Sequence, residues 1–345
     1  AFLARFGGDE FAIVMPAPEN LSLLEVTTQG ILAAMAEPFR SATLPFYLSA
    51  SIGIARYPHD AQSVELLVQS SEQAMYVAKE NGRNRRVYFS ASMQESALER
   101  VRLTNDLRTA LASGELFLEY QPIVSFTTGA IAKAESLMRW RHPIEGLVSP
   151  VKFIPLAERS GLIVQIGHWA FQQACRQLAV WRQSHSHSLQ LSINKSPLEF
   201  QAENWPQMSD LECLQTVGLP GDAVAVEITE GLLLDTSGAV GKQLKSMREA
   251  GVHLSLDDFG TGYSSMAYLQ KIDISFLKID KAFVRDLETN TANQTLCRAI
   301  IMMAHGLNIQ VARPQYVPDG PANVRGLVVD AVHELGEAHV GGVAE

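Results

Sequence analysis

From Glu115 onward the sequence repeats one arrangement: a short apolar run of strand length, then an amphipathic stretch of helix length. The strand candidates are Leu116 to Val124, Ala130 to Leu137, Leu189 to Ile193, Val224 to Ile228, Val252 to Leu256, Phe276 to Ile279 and Asn308 to Val311. Between them lie helical patterns such as Ile166 to Arg182, where Ile166, Trp169, Ala170, Ala174, Leu178 and Trp181 share one side. Alternating βα units predict an α/β fold with a parallel sheet covered by helices. This number of strands favours a TIM-like (β/α) barrel over an open sheet.

In such a barrel the C-terminal strand ends share one mouth, where the active site lies. Here each run closes on polar residues that its neighbours do not call for. Glu135 ends the second, Asn194 the third, Glu227 the fourth, Asp257 with Asp258 the fifth, and Lys278 with Asp280 the sixth. One such residue alone reads as a helix cap or a loop hydrogen-bonder; a whole set in register does not. Carboxylates gathered that closely repel one another unless cations lie among them, and hard divalent ions take oxygen ligands. Adjacent Asp257 and Asp258 suit two metal ions, one carboxylate bridging and one terminal. That arrangement activates water and clamps a phosphodiester for in-line displacement.

Composition agrees with this reading. A chain of 345 residues with 47% apolar content can bury a large core, and its formal charge of -9 argues against a DNA or RNA partner. An acidic chain that handles phosphate needs metal cations to offset its carboxylates. Cys175, Cys213 and Cys297 lie far apart and read as reduced thiols of a cytoplasmic protein. No apolar run approaches the ~18 residues of a membrane span.

Residues 1–89 form a different unit. A hairpin comes first, Phe2 to Phe6 and Glu10 to Met15 around a Gly7-Gly8 turn. A helix around Leu21 to Ala36, a strand around Tyr47 to Ala55, a helix from Ser63 to Lys79 and a closing strand from Arg86 to Phe89 follow. The second helix carries Val64, Leu67, Val68, Ala74 and Met75 on an apolar stripe, and Asn81-Gly82 stops it. Residues 90–112 read as a connecting helix, with Leu98, Val101, Leu107 and Leu111 facing inward.

Glu135-Ser136-Leu137-Met138-Arg139-Trp140 resembles the signature of the EAL family of cyclic-di-GMP phosphodiesterases, with Ser136 where Ala is usual. Matching segments follow in the family's order. They are Tyr120-Gln121-Pro122-Ile123, Ser192-Ile193-Asn194-Lys195-Ser196-Pro197, Val226-Glu227-Ile228-Thr229-Glu230, Asp257-Asp258-Phe259-Gly260-Thr261-Gly262-Tyr263-Ser264-Ser265 and Lys278-Ile279-Asp280. The resemblance implies that Glu135, Asn194, Glu227 and Asp257 hold one Mg²⁺ or Mn²⁺, with Asp257 and Asp258 reaching a second. It implies that Lys278, with Asp258, serves catalysis by orienting the attacking water, and that Gln121, Leu137 and Arg139 meet the substrate. Glu230 would brace the loop from Asp258 to Ser265, and homodimerisation through this domain is expected. Taken alone, Arg139 also reads as a surface ion pair and Glu230 as a helix-start carboxylate.

Arg5-Phe6-Gly7-Gly8-Asp9-Glu10-Phe11 resembles the signature hairpin of diguanylate cyclase (GGDEF) domains. Ser51-Ile52-Gly53-Ile54-Ala55 and Ala74-Met75-Tyr76-Val77-Ala78-Lys79, followed by Gly82-Arg83-Asn84, match that family too. The resemblance gives Gly7 and Gly8 a close approach to GTP, Glu10 a metal ion, and Lys79 and Arg83 phosphate contacts, with Asp9 part of the same signature. Residues that the family places before the hairpin do not occur here. The unit is therefore expected to be a partial α+β domain with an open apolar face, without GTP binding or cyclase activity. A sensor or inner-membrane anchor would belong to chain preceding Ala1.

The match to the EAL family runs to Ala312, so residues 113–312 are assigned to that domain and 313–345 to a tail. The family continues with an acid that serves the second metal; this chain has Arg313 there and Tyr316 at the second acidic position. The barrel is expected to be incomplete at that end. Two readings of the tail stand: a frame-shifted or chimeric end, or genuine divergence as in EAL domains that bind the dinucleotide without turnover.

Overall fold

The computed structural model describes residues 1–16, 22–40, 45–124, 131–201, 209–235, 238–260, 269, 272–284, 287 and 289–312. The chain divides into two compact units, Ala1–Asn105 and Asp106–Glu345.

In the first unit, β1 (Phe2–Gly7) and β2 (Glu10–Val14) form an antiparallel hairpin. Gly8 at φ 53° supplies the left-handed turn, and Arg5 Nη2 donates to the Gly8 carbonyl at 2.6 Å. Helix α1 (Ser22–Ala36) is followed by the two-residue strands β3 (Phe39–Arg40) and β4 (Pro45–Phe46). Strand β5 (Ile52–Ile54), helix α2 (Val64–Glu80) and strand β6 (Arg86–Tyr88) then build a βαβ unit with a parallel β5–β6 pair. Ser63 caps α2 by accepting from Leu66 N. The helix lies directly on β5, because a Cβ at Gly53 would run into the Ser71 carbonyl and the Met75 backbone. The strand is shorter than the span 47–55 read from sequence, since pairing with β6 covers only Ile52 to Ile54. Val64, assigned to the apolar stripe, is exposed, as are Phe2, Leu3, Phe6, Phe11 and Val14 of the hairpin.

Helix α3 (Ala91–Ala110) corrects another expectation. Leu107 is buried and Leu111 half-buried as expected, but Leu98 and Val101 are exposed, and Leu103 and Ala110 are buried instead. The apolar pattern allows either face, and packing selects the one with Leu103 and Leu107.

In the second unit, β7 (Leu116–Val124), β8 (Ile131–His142), β9 (Gly146–Val148), β10 (Gln190–Asn194), β11 (Val224–Thr229), β12 (His253–Phe259), β13 (Phe276–Ile279) and β14 (Gln310–Ala312) form one eight-stranded sheet. Its order is β14-β13-β12-β11-β10-β8-β7, with β9 on β8. From β8 to β14 the path is parallel, as expected, but β7 and β9 are antiparallel to β8. The reason is connection length. Only residues 125–130 join β7 to β8, and a parallel crossover needs a dozen or more residues. Among the described residues β7 and β14 do not pair, so the barrel is open between them.

Helices α4 (Pro150–Arg159), α5 (Leu162–Ser184), α6 (Pro197–Gln201), α7 (Asp210–Val217) and α8 (Ala239–Glu249), with the helix Thr291–Gly306, accompany the sheet. Phe171, Ala174, Cys175 and Leu178 of α5 and the outward strand residues Leu191, Val226, Leu254 and Leu277 share one buried cluster. No helix among the described residues is long and apolar enough to cross a membrane. The tail 313–345, with Arg313 and Tyr316, lies outside the described residues.

Candidate active site

Strand alternation divides the sheet residues between two faces. Ala134, Ile193, Val226, Leu256 and Leu277 go to the helices, so Glu135, Asn194, Glu227, Asp257 and Lys278 turn to the barrel interior. Glu135 sits within β8 rather than at its end, because β8 continues to His142 as the partner of β7 and β9. Its parallel pairing with β10 nevertheless stops at Ser136, so Glu135 reaches the same level as the true strand ends. Register then places Asn194 beside Glu227, and Glu135 between Gln121 and Ser192.

Lys278 Nζ is the point on which the acids converge: Glu227 Oε2 at 2.7 Å, Asp257 Oδ2 at 3.1 Å and Glu135 Oε2 at 3.3 Å. Asn194 Nδ2 donates to Glu135 Oε1 at 3.0 Å. Burial pushes Glu227 up to about 7, with Glu135 and Asp257 adding repulsion and Lys278 opposing. Burial lowers the Lys278 ammonium less than the three carboxylates raise it, so its pKa lies above the usual lysine range.

Asp258 comes into the site by a different device. Between Leu256 and Phe259 the register of β12 on β13 slips by one residue, and Asp258 takes a left-handed φ of 52°. Such a bulge re-aims a side chain that alternation would send elsewhere. Burial, Asp257 and a hydrogen bond with Asp280 raise the Asp258 carboxyl to about 6. Asp280 thereby joins the cluster, as its place with Lys278 at the end of the sixth strand run suggests.

Lys133 was not anticipated. It is two residues before Glu135 and so on the same strand face, with Nζ 3.2 Å from the centre of the Phe276 ring. Burial lowers its pKa to about 8 against the pull of Glu227. The i, i+2 spacing from Glu135 could have found it.

The remaining candidates lie around this centre. Leu137 and Arg139 share the Glu135 face by parity. Arg139 Nε donates to Glu119 Oε2 at 2.7 Å and Nη1 to the Met138 carbonyl at 2.9 Å, so the ion-pair reading is present in the molecule. Glu230 Oε2 accepts from Gly260 N at 3.4 Å, at the start of the glycine-containing loop. Residues 261–268 of that loop are outside the described set. Ser136 faces the other way, is buried, and donates to the Ser192 carbonyl at 3.1 Å. In the first unit Gly7, Gly8, Asp9 and Glu10 are exposed around the hairpin turn, and Lys79 and Arg83 are exposed at the C-terminal end of α2.

Among the described residues no three His, Cys, Asp or Glu side chains are spaced as a metal-ligand set. The donors are nevertheless all oxygen, as hard divalent ions require. Glu135, Glu227 and Asp257 aim at one cation, the Lys278 ammonium. With Asp258 beside them, the acids outnumber that ammonium, so the donor set fits a hard divalent cation.

Comparison with known proteins bears on the family and fold of both units. Residues 104–312 match the EAL domain model, and residues 1–85 match the diguanylate cyclase, GGDEF domain model. The bifunctional diguanylate cyclase/cyclic di-GMP phosphodiesterase MucR of Pseudomonas aeruginosa is 37% identical over 309 residues, covering 90% of this chain and 45% of that protein. The cyclic di-GMP phosphodiesterase PdeR of Escherichia coli is 35% identical over 309 residues, covering 90% of this chain and 46% of that protein. The chain thus spans less than half the length of these relatives. A solved structure of the PaMucR phosphodiesterase in complex with c-di-GMP matches with a TM-score of 0.62 at 34% identity, over 68% of this chain and 92% of that one.

Proposed function

The chain belongs to the EAL-domain family, and on that premise we propose that it binds cyclic-di-GMP at the barrel mouth and hydrolyses one phosphodiester to give linear pGpG. The observation that carries this reading is the convergence of Glu135, Glu227 and Asp257 on Lys278, with Asp258 raised beside them. A cluster with that excess of carboxylate has little use in stability. It suits a cation bridging protein to phosphate.

Glu135, Asn194, Glu227, Asp257 and Asp258 would hold Mg²⁺ or Mn²⁺. When bound, such ions supply positive charge to the phosphodiester oxygens and lower the pKa of water. Lys278 supplies a fixed ammonium at the same place, balancing part of the carboxylate charge and orienting the attacking water. Asp258 acts with Lys278 on the attacking water, and its carboxyl, raised to about 6 in the metal-free protein by burial, Asp257 and Asp280, gives up its proton when the ion is held. Gln121, beside Glu135 in the sheet, and Leu137 and Arg139 further along β8, form the side of the mouth that meets the dinucleotide. Glu230 steadies the loop that follows Asp258 through Gly260.

Turnover is reduced in this polypeptide, because Arg313 reverses the charge of the late acid that the family uses. That same residue favours a second reading, a cyclic-di-GMP receptor without hydrolysis. Incubating the full chain with cyclic-di-GMP and Mn²⁺ and separating the products distinguishes them. The expected result is slow formation of pGpG, abolished by Glu227→Gln. Turnover of about 0.1 per second or more, within reach of ordinary enzymes, would contradict the impairment. Tight binding with no product would favour the receptor, and neither binding nor product would overturn both.

A further inference from the structure

Outside the site, among the described residues of the second unit, a buried charged cluster is built around Lys195. This residue follows Asn194 directly and is itself 9% exposed. Its main-chain N–H donates to the Glu227 carbonyl at 2.9 Å, tying the end of β10 to β11 where Asn194 and Glu227 are neighbours. Its side chain leaves the barrel interior and enters the helix layer. There Nζ meets Asp210 Oδ2 at 2.7 Å and Glu199 Oε2 at 3.2 Å, lying 5.7 Å and 5.5 Å from the ring centres of Phe171 and Phe200.

Both carboxylates are fixed in turn. Asp210 occupies the first turn of α7, whose start is held by the reciprocal Ser209–Glu212 capping box. Glu199 Oε1 accepts from Ser196 N at 2.9 Å, and its carboxyl fills the space that a Cβ on Gly167 would need. Ser196 Oγ donates to Glu158 Oε1 at 2.8 Å. The turn Asn194-Lys195-Ser196 is therefore held by groups from α4, α6, α7 and β11.

We infer that Lys195 is a positioning residue: by anchoring this turn to two buried carboxylates it fixes the direction of Asn194 toward Glu135 and the spacing of Asn194 from Glu227. An ion pair this deep is a poor source of net stability, because desolvating three charges offsets their attraction. Its use is directional, since the anchored backbone carries one oxygen donor of the proposed cation site and touches the carbonyl of another. Glu199 and Asp210 act with it, and neither is among the residues of the site itself. The functional half of the inference rests on the cation-binding reading above; the positional half does not.

The test uses the full chain with Lys195→Met, Lys195→Arg and the triple variant Lys195→Met/Glu199→Gln/Asp210→Asn. The triple variant removes the buried charges together, so it leaves no unpaired carboxylate where the single change would. Hydrogen exchange in chelator reads the turn without any metal. Mn²⁺ binding, followed by the paramagnetic signal of the free ion, reads the site. Loss of protection confined to residues 190–198 and 224–230 is expected in the Met variants, with recovery in Lys195→Arg. Mn²⁺ affinity should fall about 10–100-fold in the folded Met variants, the effect of losing a group that orients a ligand. Unchanged exchange in those segments, or protection lost evenly across the unit, would overturn the proposal. Local loss of protection with unchanged Mn²⁺ affinity would overturn its functional half. If the parent chain binds no Mn²⁺, the cation reading falls while hydrogen exchange still decides whether Lys195 positions Asn194.

Discussion

Replacing Lys278 by Met keeps the aliphatic stem and removes the charge on which three acids converge. The side chains involved are screened little by solvent, at 11% exposure for Lys278, 11% for Glu135, 2% for Glu227 and 24% for Asp257. Removing one partner of a buried ionic cluster costs about 3–5 kcal/mol, because the remaining charges are left uncompensated. Here the carboxylates can relieve part of that cost by taking up a proton, and Glu227 already sits at about 7. The loss should therefore be near 3 kcal/mol at pH 8 and clearly smaller at pH 6. For a domain of this size that is a drop in Tm of about 6–12 °C at the higher pH. Thermal unfolding in chelator at both pH values is the assay. Mn²⁺ should return part of the lost stability, by placing positive charge among the same oxygens. A Met variant as stable as the parent at pH 8, or equally destabilised at both pH values, would refute the electrostatic reasoning.

In metal-free protein, stability should rise as pH falls from about 7 toward 5. Glu227 and Asp258 have folded pKa values above their unfolded ones, so the native state binds more protons in that window; a Tm that falls over the same range would contradict this. Divalent-cation affinity should move the opposite way, weakening as pH drops, because the ligands must be deprotonated; calorimetric titration at two pH values checks it. Gly53→Ala should destabilise the first unit by about 1–3 kcal/mol or more, since backbone rather than a flexible side chain occupies the Cβ position; chemical denaturation measures it. Ser136→Ala should cost only about 1 kcal/mol, the worth of its bond to the Ser192 carbonyl, and leave cyclic-di-GMP binding unchanged; an affinity loss would give Ser136 a role in the site.

Much of the second unit was legible because strand alternation is a strong signal. Leu116–Val124 and Phe276–Ile279 appear as read, and Glu135, Asn194, Glu227, Asp257 and Lys278 do face one another. What the pattern could not carry was anything set by tertiary geometry. The antiparallel path of β7, β8 and β9 depends on a short connection rather than on hydrophobic period. The bulge at Asp258 breaks the alternation that made its neighbours readable. Along helix α3 the apolar pattern points inward at Leu107 but equally at Leu98 and Val101, which only packing separates from Leu103. Arg139 illustrates a further limit, since a guanidinium suited to phosphate is equally suited to Glu119 across the strand.

The central claim is that the acids around Lys278 form a divalent-cation site that holds a phosphodiester. It is tested most directly by titrating cyclic-di-GMP into the full chain, with and without Mn²⁺, beside Glu227→Gln. The account predicts that Mn²⁺ strengthens dinucleotide binding to the parent chain and that Glu227→Gln removes the strengthening while the fold is kept. Dinucleotide binding that is indifferent to Mn²⁺ in both proteins would contradict it.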